Sequence, residues 1–234
     1  MSSEILQTES LRKVYTGEGL ETIALDNVSI KIQTGEFVAI MGPSGSGKST
    51  LLNLIGALDT PSSGKIFIDG IQTTSLNSSH LALLRNKKIG FIFQSFNLIS
   101  RFSALANVEL PLSILGVNSY KRKKRAYEML KMVGLEDRWQ NHPNQLSGGQ
   151  QQRVAIARAL SVDPPIILGD EPTGNLDTKT SMSIIDLLYN LNKNTKKTII
   201  LITHDPVVAQ QASRIITVED GNIADEDYHM PKQN

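Results

Sequence analysis

Cysteine is absent from the 234-residue chain. No disulfide framework and no cysteine-based metal site is therefore possible, a composition that suits a reducing compartment. An excess of charge of one sign is missing as well. The chain has 24 Lys and Arg against 23 Asp and Glu, a net +1, so a broadly basic nucleic-acid surface is not indicated. Long apolar runs are also lacking. FVAIM and TIILIT have the length of buried strands and fall far short of the ~18–20 residues that cross a bilayer. The N-terminus, MSSEILQTESLRK, lacks the apolar core of a secretory leader. These absences lead to the expectation of a chain that is soluble by itself and reaches a membrane only through a partner. Internal repeats and low-complexity tracts are missing too.

What is present is ordinary globular chemistry, 40% apolar and 20% charged, in a length that suits one α/β domain with an inserted subdomain. ILQTESLRKVY, ALDNVSIKI and EFVAIM read as strands, with a turn around Gly17, Glu18 and Gly19 between the first two. SGKIFIDG is a further short strand. From about Asn97 to Gln145 the spacing becomes helical in SALANVELPLSILG and SYKRKKRAYEMLKMVGL, with Pro111, Gly116 and Gly134 as breaks. Strands return at PPIILGDE, KKTIILITHD and RIITVEDGNIA, the last a hairpin with its turn at Asp220-Gly221. The residues ADEDYHMPKQN are expected to fray. Apolar strands alternating with helices imply a mainly parallel sheet covered on both faces.

EFVAIM runs into a glycine-rich loop and then into LLNLIGAL, which makes a strand, a loop and a helix. Gly42, Pro43, Ser44, Gly45, Ser46, Gly47, Lys48 and Ser49 read G-P-S-G-S-G-K-S, a match to G-x-x-x-x-G-K-[ST] followed by Thr50. Glycines let such a loop fold around phosphate oxygens, and the helix that follows points its N-terminus at them. Lys48 is placed to reach the β- and γ-phosphates, and the Ser49 hydroxyl to bind Mg²⁺. Such a loop needs an acid on a neighbouring strand. IILGDE supplies Asp170 for Mg²⁺, directly or through water. Glu171 follows, and because neighbouring strand residues point to opposite sides, its carboxylate is expected to be free to orient and deprotonate a water.

A second glycine corner stands a hundred residues later. LSGGQQQRVAIARAL, Leu146 to Leu160, places Ser147, Gly148, Gly149 and Gln150 at the start of an amphipathic helix. This is again the form of a phosphate cradle, with free backbone N–H groups. Ala155, Ile156, Ala159 and Leu160 fall on its core face, and Arg153 and Arg158 on others.

LSGGQ beyond a P-loop and shortly before IILGDEPTGNLD resembles the pattern of ATP-binding cassette (ABC) transporter ATPases, over roughly Ile5 to Ile223. The resemblance implies a P-loop NTPase α/β core with a mainly parallel sheet, an N-terminal antiparallel β subdomain and an inserted α-helical subdomain. Residues 1–95 and 151–234 then form the ATP-binding core, and 96–150 the helical insert. It also implies roles. Tyr15 stands where an aromatic stacks on adenine, although an ordinary strand-end tyrosine would look the same. Gln94, in IGFIFQSFN, matches a glutamine that senses Mg²⁺ and the attacking water. His204, in ILITHD, matches a histidine at the γ-phosphate. Asp177, in GNLD, matches a loop between two sites across a dimer, and it also has the look of a helix N-cap.

The resemblance gives a reason for two cradles. Two copies meet head to tail, and Ser147, Gly148 and Gly149 of one close on the ATP held by Lys48 of the other. Catalysis is expected from Glu171, His204, Gln94 and Lys48, with ATP and Mg²⁺ bound. GPSGSGKSTLLNLIGALDTPSSG, FQSFNLI, NVELPL and DEPTGNLD resemble the branch containing macrolide and peptide exporters, lipoprotein-release systems and the cell-division ATPase. Gly169 departs from it, since alanine is more usual before the Asp-Glu pair. The segment Phe96 to Pro111 is expected to dock an integral membrane permease, on the cytoplasmic face of the cell membrane. A soluble cassette without transport role and an ATP-gated scaffold are the alternatives. The run KRKKR, Lys121 to Arg125, reads first as a solvated helix face. Anionic lipid contact is the sharper option, and a nucleic-acid role is disfavoured for want of interleaved aromatics.

Overall fold

The computed structural model describes residues 4–17 and 20–228. Glu18 and Gly19 of the first expected turn, and His229 to Asn234 of the tail, lie outside the described residues.

The chain begins with a long strand, β1 (Glu4–Gly17), followed by β2 (Leu20–Val28), β3 (Lys31–Gln33) and β4 (Phe37–Met41). Helix α1 (Lys48–Ile55) comes next, then β5 (Ser63–Ile68), β6 (Ile71–Gln72), α2 (Ser78–Lys88) and β7 (Ile89–Phe93). Three helices follow: α3 (Ala104–Ile114), α4 (Ser119–Met132) and α5 (Gly148–Leu160). The remainder is β8 (Ile166–Asp170), α6 (Thr178–Thr195), β9 (Thr198–Ile202), the short α7 (Pro206–Ala209), β10 (Arg214–Glu219) and β11 (Asn222–Tyr228).

Two sheets result. One is antiparallel, in the order β2-β1-β5-β6 with β3 also on β1. The other has the order β11-β10-β4-β9-β8-β7. Its strands β10, β4, β9, β8 and β7 are parallel, and only β11 on the edge is antiparallel. Strand residues alternate between two cores because successive side chains point to opposite faces. Phe37, Ala39, Ile167, Ile199 and Leu201 face α5, α6 and the α3–α4 pair. Val38, Ile40, Ile166, Leu168, Ile200 and Ile202 face α1 and the antiparallel sheet. Both faces are covered, which is why these strands are apolar without a polar stripe.

Several expectations are corrected. ALDNVSIKI is two strands. Asn27 has a φ of +57°, and the Thr8 hydroxyl bridges Val28 O and Ile30 N across the break. Pro111 does not end a helix: it lies inside α3, which ends three residues later ahead of Gly116 at φ +73°. Ala224 to Tyr228 are not frayed, since they pair with β10 along β11. Helices α2 and α6 and strand β7 are present in addition to the elements anticipated. The expected Asp220-Gly221 turn is found, with φ values of +45° and +77°. Helix α5 packs on α3 and α4 but also on β7 and α6, so a boundary at residue 150 falls within one helix.

Candidate functional site

β4 delivers the chain into the loop Gly42–Gly47, and α1 leaves from it. The path requires glycine. Gly42 has a φ of +146°, and a Cβ there would lie 2.0 Å from Val218 O of β10. Helix α1 starts at Gly47 with no side-chain cap, so its first-turn N–H groups have no partner within the helix or from a capping side chain. Lys48 folds back over the loop. Its Nζ donates to Gly42 O at 2.9 Å and Pro43 O at 2.6 Å, and lies 3.4 Å from Ser46 Oγ. A positive charge is thereby fixed at the mouth of a helix N-terminus.

A cavity of about 300 Å³ opens there, lined by Gly42, Ser44, Gly45, Lys48, Ser49, Glu171, Ile202 and His204. Lys48 and Ser49 at the end of the loop, together with Glu171 and His204 from just past two later strand ends, thus line one cavity. Asp170 ends β8. Burial raises its pKa above the usual carboxylate range, the charge on Glu171 adds to this, and Lys48 opposes it.

Glu171 does not continue the strand. Its φ is +43°, and its N–H donates to Ile202 O at 3.0 Å. One oxygen of its carboxylate is engaged. Oε1 lies 2.9 Å from His204 Nδ1. A carboxylate only accepts, so in this contact Nδ1 carries the proton. The left-handed turn at Glu171, which strand alternation could not anticipate, redirects this side chain.

Gln94 follows β7 and is held by the segment after Glu171. Asn175 Nδ2 donates to Gln94 O at 3.0 Å, and the Gln94 amide lies 3.4 Å from Asn175 Oδ1. Asp177 is the N-cap of α6. Its carboxylate accepts from Thr180 N at 3.0 Å and from the Thr180 hydroxyl at 2.5 Å. The bond from that hydroxyl is the largest cause that lowers the Asp177 pKa.

Ser147, Gly148 and Gly149 do not line the Lys48 cavity. The N-terminus of α5 is not entirely free either, contrary to the sequence expectation. Ser147 Oγ accepts from Gln150 N at 3.3 Å, and Gln150 Oε1 accepts from Ser147 N at 2.9 Å. This reciprocal capping box leaves the first-turn N–H groups of Gly148 and Gly149 as those without helical partners. Gly149 sits against α6: a Cβ there would lie 2.4 Å from Thr180 Cγ2. Ala155, Ile156, Ala159 and Leu160 are buried as expected. Arg153 donates to Val133 O at 2.8 Å. Arg158 donates to Asn97 O at 2.5 Å and Phe96 O at 2.9 Å, holding two residues of positive φ; its burial lowers its pKa.

Tyr15 lies on the antiparallel sheet, outside the lining of that cavity. Its hydroxyl donates to Asp59 Oδ2 at 3.1 Å, and Lys13 Nζ stands 4.8 Å from its ring centroid. Gln152 is a residue that the sequence reading does not single out. It is fully buried, and its amide donates to Pro172 O at 2.5 Å, tying α5 to the turn after Glu171. The available signal is a polar residue at a core position of α5. Asn175 and Thr180 carry no comparable signal.

Ser49 lines the cavity; Asp170 is not part of that lining but is near enough to feel the Lys48 charge. Both offer hard oxygen atoms, the donors Mg²⁺ takes. Among the described residues no cluster of three or more His, Cys, Asp or Glu is placed to hold a metal by itself, so phosphate oxygens would have to complete the set.

A groove of about 460 Å³ lies away from the cavity, between α2, β7 and α3. Asn97, Leu110 and Pro111 of the expected docking segment line it, together with Leu58, Phe91, Phe93 and Ile114. The opposing wall comes from Ala82, Arg85 and Asn86 of α2, the helix that the sequence reading passes over.

Residues 25–174 match the family model described as ABC transporter. An uncharacterised ABC transporter ATP-binding protein of Methanocaldococcus jannaschii is 53% identical over 228 residues, 95% of this chain and 97% of its own length. A lipoprotein-releasing system ATP-binding protein of Chlorobium chlorochromatii is 47% identical over 96% of this chain and 92% of its own. Among solved structures, a dimeric ATP-binding cassette in a post-hydrolysis state bound to ADP and Pi superposes with a TM-score of 0.88 at 51% identity, over 95% of this chain and 98% of that one. With a P-loop, an Asp-Glu strand end and an LSGGQ helix start all in place, the chain belongs to the ABC transporter ATP-binding family.

Proposed function

We propose that the chain hydrolyses ATP as the energy-coupling subunit of a membrane transporter or force-transmitting complex, working as two copies on the cytoplasmic face. One observation carries the reading. Lys48, Ser49, Glu171 and His204 line a single cavity, while the Ser147–Gly149 corner lies outside it. Neither half is a complete site for a triphosphate, and a second copy would complete both. The dimeric cassette bound to ADP and Pi supports this.

In this reading the α1 N-terminus and Lys48 bind the β- and γ-phosphates. Ser49 and Asp170 would hold Mg²⁺, with Gln94 beside it. When bound, that ion screens the phosphate charge. Glu171 takes the proton of the attacking water, and His204 holds the carboxylate on Oε1, leaving Oε2 to act as base. Tyr15 would stack on adenine. Residues 1–95 and 151–234 act as the ATP core and 96–150 as the insert, with α5 running across the boundary at 150 and joining the two. The groove between α2, β7 and α3 is the dock for a permease, apolar enough to take a short helix. Relatives include a macrolide export ATP-binding/permease protein of Syntrophobacter fumaroxidans, 47% identical over 95% of this chain and 32% of its own length. That supports an export-type or lipoprotein-related partner.

Glu171→Gln tests the reading. Hydrolysis should fall by ~10²–10⁴-fold, the usual worth of a general base, with ATP binding retained. Gel filtration with ATP and Mg²⁺ should show a stable dimer. A variant that stays monomeric while binding ATP would overturn the two-copy scheme.

A further inference from the structure

We propose that the outer face of α4, together with Trp139, docks onto an anionic lipid bilayer. The inference goes beyond ATP hydrolysis and needs neither nucleotide nor permease.

Helix α4 carries six basic residues and one acid, Glu128, in a chain whose net charge is only +1. Positive charge is therefore gathered here at the expense of the rest of the molecule. The structure divides the basic run into two sets. The arginines are built into the fold. Arg122 Nε lies 3.5 Å from Glu109. Arg125 donates to Ser161 O at 3.2 Å and lies 3.8 Å from Asp163 and 4.0 Å from Glu128. The lysines are not built in. Lys121, Lys123, Lys124 and Lys131 are exposed, and among the described residues none has a carboxylate partner. The helix buries Ala126, Met129 and Leu130, so its opposite side is turned outward.

That outward side is not merely charged. Tyr120 is 77% exposed, Tyr127 42% and Trp139 36%. They share a hollow with Leu105, Lys123, Lys124 and Lys131 and with one acid, Glu128. Aromatics are thus interleaved with the cations, which corrects the sequence expectation: Tyr120 and Tyr127 flank the basic run, and folding brings Trp139 alongside. Tyr120 stands out into solvent, and Tyr127 and Trp139 each keep part of a ring exposed in the same hollow. Tyr and Trp favour the headgroup level of a bilayer. Lysine can lay its stem on apolar surface while its ammonium reaches phosphate. The arrangement favours lipid over nucleic acid, because arginine, the better group for bidentate phosphate contact, is turned inward at both positions.

The test is flotation of the full-length chain with vesicles, without nucleotide. Vesicles of phosphatidylcholine with phosphatidylglycerol should carry the protein, pure phosphatidylcholine should not, and added salt should release it. Replacing Lys121, Lys123, Lys124 and Lys131 by Gln should weaken binding about fivefold per lysine. Tyr120→Ser with Trp139→Ser should weaken what remains at higher salt. Circular dichroism and ATPase rate should be unchanged in both variants, so a folding defect would be visible. Absence of flotation with anionic vesicles, or equal flotation of the four-lysine variant, would overturn the proposal. So would tighter binding to single-stranded oligouridylate that the same lysine changes abolish. None of these failures would touch the ATPase reading, which Glu171→Gln tests separately.

Discussion

The chain presents two glycine-rich helix starts, and they are built in opposite ways. The N-terminus of α1 has no side-chain cap and is enclosed by a loop whose backbone only glycine adopts easily. Lys48 is folded over the loop carbonyls. The N-terminus of α5 is capped from both directions by Ser147 and Gln150. Its glycines are set by packing, Gly149 against Thr180 of α6. The first start is an enveloping cradle that holds its donors in reserve. The second is a rigid corner with two small residues at its tip. A cradle can bind phosphate alone, whereas a corner can only be pressed against phosphate held elsewhere. That contrast is the physical basis for assigning them to opposite sides of one nucleotide.

Substitutions can break the contrast at either end. The largest effect is expected from Gly42→Ala. The added Cβ would meet a backbone oxygen of β10 at 2.0 Å, and the φ is one that L-residues avoid. Strain of ~1–3 kcal/mol would lower ATP affinity about 5- to 150-fold. Equilibrium titration with a fluorescent ATP analogue checks this, and unchanged affinity would show that the loop is not the binding element.

Gly149→Ala should do less and do it differently. Its φ is permissive, and the obstacle is the methyl of Thr180 at 2.4 Å. Overpacking of about 1–3 kcal/mol should tilt the corner. ATP binding by the monomer should persist while turnover falls. Thr180→Ser removes the methyl but keeps the hydroxyl that bonds Asp177, so the double variant should recover activity. Failure of that rescue would separate the corner from α6.

The smallest effect is expected from Ser147→Ala, which deletes one half of the capping box. Urea unfolding should show a loss of about 1 kcal/mol, the usual worth of such a cap. No equivalent cap exists at Gly47 of α1, which sharpens the difference between the two starts.

Much of the site can be read directly because its signals are local. The run Gly42–Ser49, the Asp170–Glu171 pair and the LSGGQ start depend on residue types a few positions apart; the loop, Asp170 and the LSGGQ start fall on the elements anticipated, whereas Glu171 lies just past its strand. The roles of Tyr15 and Asp177 are harder to read. Tyr15 is engaged with Asp59 and Lys13, 44 and two positions away. Asp177 does what its N-cap pattern suggests. Helix α2 escapes a reading by periodicity because most of its residues are polar and only Leu84 is buried, leaving little apolar pattern to follow. Pro111 misleads because it is accommodated inside α3 rather than at the helix end where proline is usually placed.

By itself the sequence determined the two-faced apolar strands, the phosphate loop and the identity of the acids, since these rest on period-two alternation and on contiguous motifs. Only the tertiary structure decided where the acids point. The left-handed turn at Glu171 joins it to His204, 33 positions on. The burial of Gln152 ties α5 to the following turn. On α4, folding turned the arginines inward and left the lysines among exposed rings. Each of these depends on contacts between residues far apart in the chain, and a local pattern of residue types does not encode those distances.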